Sequence, residues 1–447
     1  MGKSTDSTLI DKYFSLYLTR YATHVEYLKD HTPEKELRLI VTIPCYKESG
    51  LLNTLESLHK CASTKYPVEV IVLINQPAGS PEETIQQNEI VLAQSRKWAG
   101  GHSTPKRKFH IIWGGDLPAK HAGVGLARKM VMDEAIRRFS KSGQRDGIIT
   151  SLDADSVCDA NYLSEIERNF LEDPEFTGAN IYFEHHIPEN KDDRTSLGIA
   201  SYELHLRYMV HALRIAGYPY AFHSVGSTMA VRASSYLKQG GMNRRKAGED
   251  FYFLQKIIPL GNFGEINTTR VIPSARVSDR VPFGTGKAMM KWLNSDATVF
   301  ETYNPQIYDS LKQLFTIAAT IYHHRKSELQ PLYHQLENPL KKFIKPEEWD
   351  QKMKHIKDHS TSIQTYRYKF FQWMDGLKIL KYIHYARDEA YPNVPVLEAY
   401  NWIRAHLGLD TGTITSVFEG LEELRSFDRA NPWYYRKNQV VIGGRVL

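Results

Sequence analysis

Ile148-Ile149-Thr150-Ser151-Leu152-Asp153-Ala154-Asp155 sets an apolar run directly before two carboxylates spaced two apart. In an extended backbone residues i and i+2 face the same side, so the stretch predicts a buried strand whose end aims Asp153 and Asp155 at one cation. The carboxyl edge of an open α/β sheet is where ligands bind. Two carboxylates held that close repel each other unless a proton or a metal intervenes; Mg²⁺ or Mn²⁺, hard cations that also hold substrate phosphates, suit such a pair. Taken in isolation, two such acids more often cap the helix that follows. Their neighbours decide between the readings.

Upstream, residues 37–44 (LRLIVTIP) and 68–75 (VEVIVLIN) are continuously apolar, the pattern of central strands covered on both faces. A helical pattern begins near Leu51, and Ser80-Pro81-Glu82-Glu83 predicts a capping box opening a second helix that reaches about Trp98. Residues 108–115 (KFHIIWGG) read as a third strand and 124–139 as a third helix. This alternation predicts a Rossmann-like α/β unit with a mostly parallel sheet and right-handed crossovers. Downstream, 178–186 and 227–234 read as strands and 197–215 as a helix. After about residue 296 strand signals nearly vanish, leaving helices rich in Tyr, His and Lys that are broken at Pro331, Pro339, Pro346 and Pro392. The expected organisation is a helical segment over 1–35, a catalytic α/β domain over 36–295 and an α-helical C-terminal domain over 296–447.

The 447 residues carry 57 basic and 51 acidic side chains, a formal charge of +6 with no long basic tract. That balance suits a phosphorylated ligand and does not argue for nucleic acid. Cys45, Cys61 and Cys158 lie far apart in sequence and form no C-x-x-C pair, which suits a reducing compartment better than a disulfide framework or a zinc site. The amino terminus lacks the apolar core and cleavage site of a signal peptide, and no apolar run approaches the length of a membrane span. A cytoplasmic enzyme is expected. Its aromatic, cationic C-terminal helices suit an acceptor or peripheral contact with a membrane surface, and more ordinarily core packing or a homodimer interface.

The first strand ends in Pro44-Cys45-Tyr46-Lys47-Glu48, and here the chain resembles family 2 glycosyltransferases of the GT-A fold. In that family such a strand end floors the nucleotide pocket; the resemblance implies that Pro44 shapes the sheet exit, Tyr46 offers a packing face and Glu48 accepts hydrogen bonds from base or ribose. Asn75 stands where many members carry an acid that meets the base; its amide can donate and accept, and an asparagine before Gln76-Pro77 serves a turn equally well. Lys120-His121-Ala122-Gly123-Val124-Gly125-Leu126-Ala127-Arg128 resembles the glycine-containing stretch ahead of the metal strand, with Lys120 and Arg128 in position to reach a diphosphate. Val225-Gly226-Ser227-Thr228 resembles the strand before the acceptor site. About twenty residues later Gly248-Glu249-Asp250 matches the family's glutamate-aspartate pair.

The resemblance covers roughly residues 36–295 and implies a metal-dependent inverting transfer from a nucleoside diphosphate sugar, a UDP- or GDP-sugar, to a hydroxyl acceptor. Asp155 is then the Mn²⁺ or Mg²⁺ ligand, Asp153 a second metal or ribose contact, Asp250 the base and Glu249 an acceptor-site or orienting group. A first-turn position on a helix is expected to lower the Asp250 pKa. Arg276 to Gly286 suggests a lid over the diphosphate, with Arg280 a donor contact; Asp279 or His223 is the stand-in for a third metal ligand. Val281 follows Arg280 where a processive synthase's Q-x-x-R-W motif carries tryptophan, so one sugar or a few are transferred to a glycan, lipid-linked or small-molecule acceptor. A sugar-phosphate nucleotidyltransferase, or an inactive GT-A binding or scaffold protein, is the alternative reading.

Overall fold

The continuous apolar runs become the centre of a sheet. In the computed structural model, which describes residues 3–191, 193–276, 284–409, 412–436, 441–442 and 445–446, β1 (Leu39–Cys45) is buried at every position and β2 (Val68–Pro77) at all but its last. They pair in parallel, with Leu39 opposite Val68 and Cys45 opposite Ile74. β3 (Arg107–Leu117) extends the sheet beyond β2, and β4 (Ile148–Ser151) lies parallel on the other side of β1. Fully burying each Val, Leu or Ile of these central strands contributes about 1.5–3 kcal/mol.

Four more strands follow: β5 (Val157–Cys158), β6 (Gly178–Phe183), β7 (Met229–Arg232) and β8 (Phe263–Ile272). The order across the sheet is β8-β6-β7-β4-β1-β2-β3, with β5 paired to β8. β7 runs antiparallel to both β4 and β6, while β6 and β8 are parallel. The expected α/β architecture with a mostly parallel sheet is therefore present. β8 has no counterpart in the sequence reading: its outer half, Asn267-Thr268-Thr269-Arg270, interrupts the apolar pattern with polar side chains, while its inner half is buried.

The chain divides into two compact units. The first comprises Met1–His186, Ser224–Lys287 and Phe427–Tyr434 and holds the sheet together with α1 (Lys3–Arg20), α2 (Leu51–His59), α3 (Glu82–His102), α4 (Val124–Ser142) and α5 (Tyr162–Glu172). α4 is buried along its whole middle, charged residues included. The amino-terminal segment explains how: Tyr17 Oη and the Thr23 N–H donate to Asp133 at 2.6 and 2.8 Å, and the Tyr27 and Leu28 N–H groups donate to Glu134, each at 3.1 Å. A buried carboxylate with several donors escapes most of its desolvation cost. The expected capping box is absent. Pro81 is the cap of α3, and the Ser80 hydroxyl donates instead to the Pro77 carbonyl at 2.7 Å.

The second unit comprises Ile187–His223, Ala288–Ser426 and Tyr435–Leu447. Its long helix α6 (Arg194–Ala216) buries Glu203, which accepts from Arg207 at 2.8 Å and Arg425 at 2.7 Å. Helices Pro305–Ile321 and Val396–Leu407 pack on α6. Much of the tyrosine surplus serves this core; Tyr208, Tyr308, Tyr366, Tyr382 and Tyr400 are all among the largest fully buried side chains. Among the described residues no helix is long and apolar enough to cross a membrane.

Candidate active site

β4 ends at Ser151, and from there the backbone turns: the Ser156 N–H donates to the Asp153 carbonyl at 3.1 Å. The extended geometry that would aim both carboxylates the same way therefore stops before the first of them. Asp153 Oδ1 takes the Arg128 guanidinium at 3.0 Å, while Asp155 Oδ2 takes Arg276 at 3.1 Å. A strand-period argument fails here because a turn obeys no period of two.

Arg128 is the fifth residue of α4 and is 2% exposed. Rather than standing open toward a diphosphate, as its sequence position suggested, it is the buried centre of the site. Its Nε donates to Glu249 Oε1 at 3.1 Å, Nη1 to Ser151 Oγ and to the Gly226 carbonyl, and Nη2 to Asp153. Burial opposes its charge, but Asp153, Glu249 and Asp250 outweigh that and hold the guanidinium protonated above its ordinary range. Two glycines make room for it. A Cβ at Gly226 would stand 2.6 Å from Arg128 Nη2, and one at Gly125 would stand 2.1 Å from the Arg245 carbonyl oxygen and 2.9 Å from Glu249 Cβ.

Glu249 and Asp250 open α7 (Glu249–Ile257), whose cap is Gly248 with a left-handed φ of 70°. Glu249 is buried; Asp250 is half-buried, and its Oδ1 accepts from the Phe251 N–H at 2.7 Å. The helix start does not lower its pKa as expected. Burial and then the Glu249 charge push the carboxyl up to about 7, against the lowering influence of Arg128 and the Phe251 N–H. Loss of solvent outweighs a partial dipole charge.

Just after β1, Lys47 turns the chain with a positive φ of 50°, a conformation few non-glycine residues adopt. Glu48 is thereby folded inward to 3% exposure, where one oxygen accepts from the Gly50 N–H at 2.9 Å and both take the Arg276 guanidinium. Arg276 thus joins Glu48 to Asp155, a link the sequence did not suggest. Asn75 is buried within β2 rather than in a turn, and its Nδ2 donates to the Cys45 carbonyl at the end of β1 at 3.2 Å. Pro44 is buried, Tyr46 half-buried and Lys120 exposed. Asp279 and Arg280 lie outside the described residues.

Asp153 and Asp155 offer hard oxygen donors at the strand edge, with side chains 37% and 26% exposed. That chemistry fits a divalent cation that keeps part of its water and shares phosphates, which needs only one or two protein carboxylates. Among the described residues no group of three or more His, Cys, Asp or Glu side chains could hold a metal, so no third ligand joins them.

A mostly parallel α/β sheet that gathers a strand-end acid pair and a helix-start acid pair around one arginine has the layout of a GT-A glycosyltransferase. Residues 148–314 match the family model described as glycosyl transferase family group 2, so this stretch is that of a glycosyltransferase and the resemblance read from its motifs is borne out. The matched stretch opens on the first residue of β4 and takes in Asp153, Asp155, Gly226, Glu249 and Asp250. No curated protein matches the chain. Similar solved structures include S. aureus TarS 1-349 in complex with UDP-GlcNAc, at 13% identity and a TM-score of 0.37, covering 75% of this chain and 92% of that one. S. aureus TarS 1-349 without a stated ligand is similar at 13% identity and a TM-score of 0.34, covering 92% of this chain and 95% of that one. At this level of likeness no residue role or ligand passes from those proteins to this one.

Proposed function

We propose that the chain transfers one sugar, or a few, from a UDP- or GDP-sugar to a hydroxyl acceptor with inversion, in a reaction dependent on Mn²⁺ or Mg²⁺. The observation that carries this reading is the Arg128 bridge, which bonds Asp153 and Glu249 at 3.0 and 3.1 Å and so draws the strand-end acids and the helix-start acids into one site. Asp250 is the base. Ionised above a pKa of about 7, it takes the acceptor proton as the hydroxyl oxygen bonds to the anomeric carbon and the diphosphate leaves with the electrons of the broken bond. Glu249, fixed by Arg128, keeps the Asp250 carboxyl from losing its proton affinity. Asp155, with Asp153 beside it, would hold a divalent cation, which when bound supplies charge neutralisation at the leaving diphosphate. Arg276 and Lys120 are the cations at hand for the same oxygens.

A thermal-shift panel of UDP- and GDP-sugars with Mn²⁺, followed by product analysis on the stabilising donor, tests the reading. Asp250→Asn keeps the donor-dependent rise in melting temperature and loses transfer. Turnover at the wild-type rate by that variant overturns the assignment of the base, and pyrophosphate release from a nucleoside triphosphate with a sugar phosphate replaces the transferase reading with a nucleotidyltransferase.

A further inference from the structure

Cys61 and Cys158 are separated by 97 residues in sequence, yet their Sγ atoms lie 3.8 Å apart. Cys61 follows α2, and Cys158 ends β5, just beyond the turn that carries Asp155. The two segments are already strapped together around the sulfurs: Thr54 Oγ1 donates to the Ala154 carbonyl at 2.9 Å, the Ala62 N–H to the Ala160 carbonyl at 2.6 Å, and the Cys158 N–H to Ser57 Oγ at 3.4 Å. The 3.8 Å between the sulfurs is thus closed to a bond within a held frame. The pair is also chemically unequal. The hydrogen bond from Cys158 lowers the Cys61 thiol pKa, against the opposing effect of burial, and the Arg107 guanidinium, anchored on the Leu58 and His59 carbonyls, adds to the lowering. Cys158 is pushed up by the same bond and by burial. A thiol shifted down beside one shifted up is the direction expected of an attacking and a resolving thiol. The transfer chemistry uses neither.

We propose that Cys61 and Cys158 form a reversible dithiol–disulfide site whose oxidant is hydrogen peroxide. Cys61, having given its proton to solvent, attacks one peroxide oxygen; the O–O bond breaks, Cys61 becomes a sulfenic acid, and the other oxygen leaves and is protonated to water. Cys158 then loses its proton and attacks Cys61 Sγ; the S–S bond forms, the S–O bond breaks, and a second water departs. Two thiols are oxidised and one peroxide is reduced to two waters. A dithiol reductant returns the pair to its starting state. The disulfide makes covalent the strap that Thr54, Ser57 and Ala62 hold by hydrogen bonds, immediately behind the Asp155 turn.

The test uses the full chain, reduced with dithiothreitol or treated with hydrogen peroxide, then denatured and alkylated. After peroxide, two of the three cysteines become unavailable to alkylation, the intact mass falls by two hydrogens, and digestion yields one linked peptide joining Cys61 to Cys158. Dithiothreitol reverses all three changes. The oxidised protein melts several degrees higher, because a cross-link spanning 97 residues constrains the unfolded chain. Cys45→Ser forms the link as the wild type does; Cys61→Ser and Cys158→Ser do not. The proposal is overturned if all three thiols stay alkylatable, if Cys61 proceeds to a sulfinic acid while Cys158 stays free, or if the link recruits Cys45 or a second chain.

Discussion

Replacing Asp250 with asparagine removes the proposed base and, with it, a charge that the fold does not accommodate well. Burial and Glu249 raise the Asp250 carboxyl from 3.8 to about 7. Three units at about 1.4 kcal/mol each give an upper limit of about 4 kcal/mol by which ionised Asp250 burdens the folded state above pH 7. The carboxylate is half-buried and its titration is shared with Glu249 and Arg128, so about half of that, ~2 kcal/mol, is the working figure. The sign follows from proton counting. Between pH 4 and 7 the folded chain holds a proton on Asp250 that the unfolded chain has released, so this group makes the protein lose stability as pH rises through that window. Asp250→Asn, neutral and of the same shape, is therefore more stable than wild type at pH 8. That advantage shrinks as pH falls below 7 and is gone below about pH 4. Chemical denaturation of both proteins at pH 8, 6 and 4.5 measures it, and wild-type kcat/KM rises with pH with an inflection near 7. An asparagine variant no more stable than wild type at pH 8, or one whose advantage is the same at every pH, refutes the assignment of a burdened Asp250.

Arg128→Met leaves Asp153, Glu249 and Asp250 without their shared cation; it destabilises the chain by about 3–5 kcal/mol in urea denaturation and moves the activity inflection to higher pH. Asp155→Ala abolishes the additional melting-temperature rise that Mn²⁺ gives in the presence of UDP while leaving the melting temperature without ligand within a few degrees of wild type. Gly125→Ala forces a Cβ against the Arg245 carbonyl oxygen and lowers stability by about 1–3 kcal/mol, read as a reduced denaturation midpoint.

The parts of the fold that sequence reveals are those where one-dimensional pattern and burial coincide. β1 and β2 are covered on both faces, so their residues read as nearly unbroken apolar runs, and the motif order places Asp153, Asp155, Glu249 and Asp250 on the same unit. β8 escaped because Asn267-Thr268-Thr269-Arg270 interrupts its apolar pattern with polar side chains. The bonds that organise the site escaped for a different reason: Arg276 meets Glu48 across 228 residues, Cys61 meets Cys158 across 97, and no local pattern records either meeting. The direction of the Asp250 shift was misjudged because a helix start is visible in sequence, whereas the loss of water around it and the carboxylate beside it become visible only when the chain has folded.

Arg276 gives the donor edge a property that a row of acids alone would lack. On the proposed reading the carboxylates hold a cation and the site also admits a ligand that is itself strongly anionic, and bare carboxylates would repel that ligand before any cation arrived. By standing between Glu48 and Asp155, the guanidinium offsets part of their field. Binding then becomes an exchange of partners among charges already present, so occupancy should respond steeply to ionic strength on approach and only weakly once the exchange is complete.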